Sequence, residues 1–258
     1  MRTAFFSSDR PPIVAMVQEP DPKSAVEVIL NSLYDGADAF GIQLESLERE
    51  HRTPEKLKKI FDACAGRPIY ITSYRGSRSK GLSDCECADL LLTGLEAGAD
   101  LADVPGDLFC PVSYQLTRDP DAVKRQKELI EKIHSMNKDV LMSSHLNAFF
   151  PKEDVLEFAA EQIDRGADVV KIVSRADTRE QLMEDIAIAE EMKNRLTVPY
   201  LFLAGGAHSR LLRQIGPAFG VCMYLCVQQY RPENTKEQPV IRAVKAIRDS
   251  MCLRYPVG

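Results

Sequence analysis

A repeated tripeptide is the feature of this sequence that most constrains its fold. Gly-Ala-Asp occurs at 36–38, 98–100 and 166–168, each time after an amphipathic helical stretch and before a short apolar run. Glycine adopts the left-handed conformation that ends a helix, and the following run is too short and too evenly apolar for another helix. Each copy therefore predicts a helix that leads into a buried strand.

The spacing of the repeat predicts how many strands there are. Successive copies lie 62 and 68 residues apart, about two βα units each if one unit takes roughly 30 residues. Further strands are predicted at 13–17, 68–73, 139–143, 199–203 and 220–226. The predicted helices cover 24–34, 54–65, 85–97, 120–136, 152–165, 178–195, 209–217 and 236–251.

Eight alternating units favour an α/β fold closed into a (β/α)8 TIM barrel. An open sheet would be expected to carry a glycine-rich fingerprint after its first strand, and none follows Val17. A chain of 258 residues fits one such barrel, so a single domain is predicted over 1–258.

Charge and hydropathy exclude several classes of partner. Lys and Arg number 33 against 38 Asp and Glu, and both signs are interleaved, so no nucleic-acid partner is expected. No apolar run approaches the roughly 18 residues of a membrane span. The first residues reach Pro11 and Pro12 before a signal-peptide core develops, which predicts a cytoplasmic location.

The cysteines indicate neither a disulfide framework nor a metal site. They are seven, an odd number, and most lie within helix or strand patterns, so they are predicted to be reduced. Cys85 and Cys87 are too close for a CxxC pair, and no histidine is near Cys222 and Cys226. No metal is therefore expected.

In this fold the reactive groups lie where strands end and βα loops begin. The candidates at those positions are Gln43, Glu45, Arg75, Asp103, His145, Lys171 and the turn Ala204-Gly205-Gly206.

Lys171 is the strongest candidate because it interrupts an otherwise apolar strand, 168–173. Burial of an unpaired ammonium is costly, and a lysine avoids that cost by losing its proton as its pKa falls from ~10.4 toward neutrality. The neutral amine can attack a ketone and form a Schiff base. The alternative is a structural lysine that reaches solvent at the strand end or pairs with Asp103.

Two further residues extend this chemistry. His145, placed after the fifth strand and beside Lys171 in barrel order, can move protons near neutral pH; the alternative is a loop histidine without a role. Arg213 lies on the predicted short helix between strands seven and eight, where this fold often binds anions, so a carboxylate or a phosphate could bind there. The alternative is a solvated helix arginine.

These residues resemble a known family, the type I 3-dehydroquinate dehydratases, over nearly the whole chain. Met142-Ser-Ser-His145 resembles the family segment that carries the catalytic histidine, and Lys171-Ile172 the segment with the Schiff-base lysine. The segment 213–220 is similar to the one whose arginine binds the substrate carboxylate. Arg75 resembles a strand-three arginine of the family, and Gln238 its lid glutamine.

The resemblance implies dehydration of 3-dehydroquinate to 3-dehydroshikimate in the shikimate pathway. Lys171 would form the iminium, His145 would act as base and then acid, and no metal or diffusible cofactor would take part. A homodimer is implied, and the composition of 230–238 predicts a lid.

The chain also departs from the family pattern. Gln43-Leu44-Glu45 stands where the family has Glu-x-Arg, and the acidic residue after the strand-three arginine falls near Ser79 or Lys80. Contacts to the substrate hydroxyls are therefore expected to differ.

Two alternatives stay open. A class I aldolase for a phosphorylated sugar would use Lys171 equally well, with Gly205 and Gly206 donating backbone N–H groups to phosphate. A barrel that has lost activity could serve as a binding protein. The joint presence of Lys171, His145 and Arg213 argues against a loss of activity.

Overall fold

The computed structural model describes residue 5 and residues 10–76, 81–231 and 236–251. Within them eight strands alternate with eight α-helices, as predicted. The strands are β1 (Ile13–Val17), β2 (Ala39–Gln43), β3 (Ile69–Thr72), β4 (Leu101–Pro105), β5 (Asp139–His145), β6 (Val169–Arg175), β7 (Tyr200–Gly205) and β8 (Tyr224–Cys226). The helices are α1 (Pro22–Asp35), α2 (Pro54–Asp62), α3 (Asp84–Glu96), α4 (Pro120–Ser135), α5 (Lys152–Asp164), α6 (Arg179–Arg195), α7 (Arg210–Ile215) and α8 (Ile241–Met251).

The strands form one parallel sheet in the order β7-β6-β5-β4-β3-β2-β1-β8. Between its two edge strands, the backbone N–H of Cys222, just before β8, donates to the carbonyl of Tyr200 on β7 at 2.8 Å. The predicted (β/α)8 barrel is confirmed, and the carboxyl ends of all eight strands meet at one mouth.

The Gly-Ala-Asp repeat has a physical explanation in the structure. Each of its glycines has a positive φ, between 97° and 121°, and ends a helix. Each aspartate then accepts a hydrogen bond from the first or second residue of the preceding strand, at 2.8 to 2.9 Å. The pairs are Asp38 with Ile13, Asp100 with Ile69 and Asp168 with Val140. The repeat thus stops a helix and satisfies the amino end of a neighbouring strand.

Side chains alternate between the two sides of each strand. Ile69 and Ile71 on β3 join the apolar layer between sheet and helices, whereas Tyr70 packs with Val14, Leu101 and other residues inside the barrel. Because paired residues of neighbouring strands face the same side, this alternation determines which polar residues reach the mouth.

Several predicted boundaries differ from the observed ones. β5 extends to His145, so this histidine ends the strand instead of following it. Glu45 lies in a short 3-10 turn beyond β2. The strand predicted at 220–226 begins only at Tyr224, because Gly220 has a left-handed backbone with φ of 95°. The last helix begins at Ile241, two residues after Pro239.

No helix among the described residues is both long and apolar enough to cross a membrane. The same part of the chain holds no group of three or more His, Cys, Asp or Glu side chains arranged to bind a metal ion. All six cysteines in it are free thiols; Cys252 lies outside it.

Candidate active site

The Lys171 ammonium lies inside the barrel and has three polar partners. Its Nζ is 2.9 Å from Oδ2 of Asp103, 2.6 Å from the hydroxyl of Tyr74 and 3.1 Å from that of Tyr70. Both tyrosine hydroxyls also donate to the same carboxylate oxygen. Lys171 is 4% exposed. The sequence suggested that the Lys171 charge is buried without a partner. Instead it is paired with Asp103, which was the alternative stated above. Lys171 therefore has to transfer a proton before its amine is neutral.

Strand alternation and one glycine assemble this cluster. Tyr70 and Tyr74 are four residues apart in and beyond β3, so both face inward, as Asp103 on β4 does. Gly41 on β2 pairs with Tyr70, and a Cβ on Gly41 would lie 3.1 Å from the Tyr70 ring and closer still to Met16. A larger residue at position 41 would therefore collide with Met16 and press on the ring that contacts Lys171.

His145 is held by a residue that the sequence did not single out. Oε1 of Gln115 lies 3.1 Å from the backbone N of His145 and 2.6 Å from its Nδ1. A backbone N–H can only donate, so the Gln115 atom is an acceptor and Nδ1 must carry the proton. The neutral ring then has a free lone pair on Nε2, the arrangement needed in a general base.

The surroundings of His145 keep it neutral. Burial lowers its pKa to about 3, and the positive charges of Lys171 and Arg213 act in the same direction, opposed by Asp103. The ring also packs edge-to-face against Tyr74, with 5.5 Å between centroids. His145 and Lys171 thus share one polar cluster, as their neighbouring strands predicted.

Gln162 on α5 fixes the backbone at Lys171. Its Nε2 donates to the carbonyl of Lys171 at 3.1 Å, and its Oε1 accepts from the Lys171 N–H at 3.1 Å. The same Nε2 lies 3.0 Å from the hydroxyl of Ser144. Gln162 is fully buried. Its hydrogen bonds link Ser144 on β5 to Lys171 on β6, the strands that carry the two candidate catalytic residues.

Arg213 is a buried cation available to a ligand. Its Nε donates to the carbonyl of Ala204 at 2.7 Å, while its two terminal nitrogens have no hydrogen-bond partner among the described residues. It is 7% exposed, and burial lowers its pKa to about 10 although Glu237 acts in the opposite direction. A planar guanidinium with two free nitrogens suits a carboxylate.

The other predicted substrate-binding residues differ in how far they are engaged. Gln43 at the end of β2 and Gln238 before α8 each have a buried amide oxygen without a partner in the described part of the chain. Glu45 accepts from the Thr72 hydroxyl at 2.9 Å, and burial raises its pKa to about 7. Arg75 binds Asp84 at 2.8 Å and Asp107 at 2.6 Å, so its charge is already neutralised.

Some residues singled out from the sequence lie outside the part of the chain that the structure describes. Ser79 and Lys80 lie outside the described residues, as do 232–235 of the predicted lid.

Sequence reasoning missed Tyr70, Tyr74, Gln115 and Gln162. The alternation Tyr70, Thr72, Tyr74 in 69–75 could have identified the two tyrosines. Gln115 occupies a loop with a positive φ of 49°, and no local pattern marks it.

Comparisons with known proteins assign the chain to a family. The family model of type I 3-dehydroquinase matches residues 13–248. No curated protein matched the sequence.

Solved structures show the same fold. A 3-dehydroquinate dehydratase from Geobacillus kaustophilus HTA426 has a TM-score of 0.82 at 17% identity, over 97% of this chain and 95% of that one. A type I 3-dehydroquinate dehydratase from Clostridium difficile, with covalent modified comenic acid, has a TM-score of 0.81 at 16% identity, over 97% of each chain. The Enterococcus faecalis 3-dehydroquinate dehydratase has a TM-score of 0.75 at 16% identity, over 97% and 96% of the two chains. These identities establish the fold alone. Because the family model spans almost the whole chain, this protein belongs to the type I 3-dehydroquinase family of hydro-lyases.

Proposed function

We propose that this protein dehydrates 3-dehydroquinate to 3-dehydroshikimate through a Schiff base on Lys171. The observation that carries the proposal is the buried Lys171 amine, 2.9 Å from the carboxylate of Asp103 and in one cluster with a neutral His145. Membership of the type I 3-dehydroquinase family supports this substrate. We propose that the protein catalyses this step of the shikimate pathway.

The first step forms the imine. Asp103 accepts a proton from Lys171, either directly or through a tyrosine hydroxyl, since both routes are hydrogen bonded. The free amine attacks the ketone carbon. The carbonyl oxygen receives two protons, the one first accepted by Asp103 and a second from the nitrogen, and leaves as water. The resulting iminium attracts electrons and so acidifies the adjacent C–H.

The second step is the elimination. Nε2 of His145 removes the proton from the carbon beside the iminium, because Gln115 keeps the ring proton on Nδ1. The protonated ring then gives that proton to the β-hydroxyl, which departs as water. Hydrolysis of the conjugated imine releases the enone and returns the Lys171 amine, so no metal or diffusible cofactor is consumed.

Arg213 is proposed to bind the substrate carboxylate through its two free nitrogens. Gln43 and Gln238 are proposed to contact substrate hydroxyls, since each has an amide oxygen without a partner among the described residues. Glu45 and Arg75 were also predicted as contacts, but each would first have to exchange a protein partner. We further propose a cytoplasmic homodimer, for which sedimentation velocity reads the oligomeric state.

The test is borohydride trapping. Wild-type protein and Lys171→Ala are incubated with 3-dehydroquinate and reduced, and intact and peptide masses are read. We expect an adduct on Lys171, absent from the variant, and release of the enone seen as new ultraviolet absorbance. Wild-type protein that forms no adduct would overturn the proposal, and the same assay with phosphorylated ketoses would then test the aldolase alternative.

Arg213→Ala tests the anion site. Arg210→Ala is the matched control because Arg210 is exposed; among the described residues it donates to the backbone carbonyl of Lys236 and lies 5.6 Å from the centre of the Tyr230 ring. Loss of charged hydrogen bonds worth about 1.5–3 kcal/mol should raise KM roughly 10- to 100-fold. Equal KM values for the two variants would remove Arg213 from the site.

A further inference from the structure

Tyr74 is the residue whose polar group approaches the reacting nitrogen most closely. Its hydroxyl is 2.6 Å from Nζ of Lys171, compared with 2.9 Å for Asp103 and 3.1 Å for Tyr70. Tyr74 is also partly buried, whereas Tyr70 is fully buried. The two tyrosines therefore present the same chemical group to the same nitrogen from different depths.

Tyr70 and Tyr74 lie at different distances from the mouth of the barrel. Tyr70 lies within β3 and Tyr74 two residues beyond its carboxyl end, so Tyr74 is nearer the mouth. Its ring contacts His145 edge-to-face. Because Tyr74 contacts both Lys171 and His145, it lies beside any ketone that reaches the two residues, whereas Tyr70 is buried deeper in the barrel.

Imine formation requires protons to move from the Lys171 nitrogen to the carbonyl oxygen of the substrate. The ammonium has three protons and the iminium nitrogen keeps one, so two protons pass from nitrogen to the carbonyl oxygen, which leaves as water. Each transfer needs a group within hydrogen-bond reach of both nitrogen and oxygen. Tyr74 has one such contact already and lies on the side from which the oxygen arrives.

We propose that Tyr74 is a catalytic residue that carries protons from Lys171 to the substrate carbonyl oxygen during imine formation. The hydroxyl gives its own proton to oxygen as it takes one from nitrogen or from Asp103, both of which are hydrogen bonded to it, and ends each transfer unchanged. Tyr70 is a positioning residue that holds Lys171 and Asp103. His145 is left to act on the carbon-bound proton and the β-hydroxyl. This division of roles rests on the proposed Schiff-base function.

The environment of Tyr74 suits a carrier. Burial and the carboxylate of Asp103 raise the pKa of its phenol well above the ordinary value of 10, so the hydroxyl stays protonated and can always donate. Transfer is then concerted, because a free phenolate beside Asp103 is disfavoured.

The experiment measures the rate at which a reducible adduct forms, by rapid mixing, quenching with borohydride and mass spectrometry. The variants are Tyr74→Phe and Tyr70→Phe, with Lys171→Ala as the blank. The ketones are 3-dehydroquinate and acetone, a small ketone that needs no recognition contacts. We expect Tyr74→Phe to slow adduct formation at least about 100-fold with both ketones, and Tyr70→Phe to slow it no more than a few-fold.

Equal slowing by the two variants, or a wild-type rate for Tyr74→Phe, would overturn the role of Tyr74. Adducts with acetone but none with 3-dehydroquinate would reject the proposed substrate while still testing Tyr74; no adduct with either would reject both proposals. Should Tyr74→Phe fail to fold, 3-fluorotyrosine at 74 and, separately, at 70 provides a second test, because a more acidic phenol should change the rate only at position 74.

Discussion

Gln115 determines how His145 can act. Its amide oxygen accepts from both the backbone N–H and Nδ1 of His145, but carries no charge to stabilise a protonated ring. Burial and the charges of Lys171 and Arg213, opposed by Asp103, lower the pKa of His145 to about 3, and Gln115 adds no negative charge that would raise it. The ring is therefore already a free base across the physiological pH range and needs no activation before it removes a proton.

Replacing Gln115 with Glu should change the pH dependence of the reaction. A carboxylate beside Nδ1 raises the pKa of His145 by about 1–3 units, so protonation of the ring would reduce kcat/KM at a higher pH than in the wild type. We expect the acidic limb of the pH profile to move upward in Gln115→Glu. In Gln115→Ala, the matched uncharged variant, kcat should fall about 10-fold without that displacement. Superimposable acidic limbs would contradict this role for Gln115.

The residues of the site differ in how readily the sequence reveals them. Lys171 and Asp103 are marked by their position in apolar strands, and Arg213 by its place between strands seven and eight. Gln115 has no such mark, since its contact with His145 spans 30 residues and depends on the course of a loop. The partner of Lys171 was foreseen only as an alternative, because strand alternation places a carboxylate inside the barrel without giving its distance.

At the scale of single elements, α6 contains a carboxylate that the chemistry does not use. Asp185 is fully buried against the sheet, and neither of its oxygens has a hydrogen-bond partner among the described residues. Burial raises its pKa from 3.8 to about 7. The folded state therefore binds a proton here that the unfolded chain releases near pH 4.

This linkage predicts the effect of Asp185→Asn. A raised folded-state pKa gives stability that is present below about pH 4 and is lost as pH rises toward 7. Asn cannot ionise, so the variant does not lose stability as the pH rises. Its free energy of unfolding should therefore exceed the wild-type value by roughly 2 kcal/mol at pH 8. The gain is smaller than the pKa shift alone would give, because a buried amide without a partner is also costly. At pH 5 the difference should be small. Urea unfolding at both pH values checks this, and Glu190→Gln on the exposed side of α6 should show no such pH dependence.

Helices and strands were more predictable than their ends. Periodicity and the Gly-Ala-Asp repeat located all eight strands and all eight α-helices of the described residues, because helix stops and buried strands are local properties of the chain. The longest errors lie at 220–223 and 236–240, where the observed β8 and α8 begin later. In both places the backbone follows Gly220 or Pro239 and not the apolar pattern of the surrounding residues.

At the scale of the whole molecule, the least regular part of the barrel is the junction of β7 and β8. No strand ladder joins these two strands in the described sheet. The junction relies instead on the backbone hydrogen bond from Cys222 to Tyr200. It also relies on the Tyr200 hydroxyl, which lies 2.7 Å from the carbonyl oxygen of Phe219 and 2.8 Å from that of Ala189. The chain between the two strands carries Arg213, so closure of the barrel and placement of the proposed anion site depend on the same segment.

Gly220 is the position at which this dependence can be tested. Its φ is 95°, and a Cβ there would meet the Tyr200 hydroxyl and lie 2.9 Å from Cβ of Lys193. Gly220→Ala should therefore lower the free energy of unfolding by about 2–3 kcal/mol, from left-handed strain plus overpacking. Gly66→Ala is the matched control, because Gly66 has φ of 72° with nothing within 4 Å of the added atom; it should lose only about 1 kcal/mol.

The two variants should also differ in catalysis. Loosening the junction moves Arg213, so Gly220→Ala should raise KM for 3-dehydroquinate more than it lowers kcat, whereas Gly66→Ala should leave both constants unchanged. Chemical denaturation and steady-state kinetics on the same preparations separate the two effects. Equal losses of stability would show that the left-handed backbone alone requires glycine at position 220. A KM unchanged in a destabilised Gly220→Ala would show that Arg213 is positioned by β7 and α7 independently of how the barrel closes.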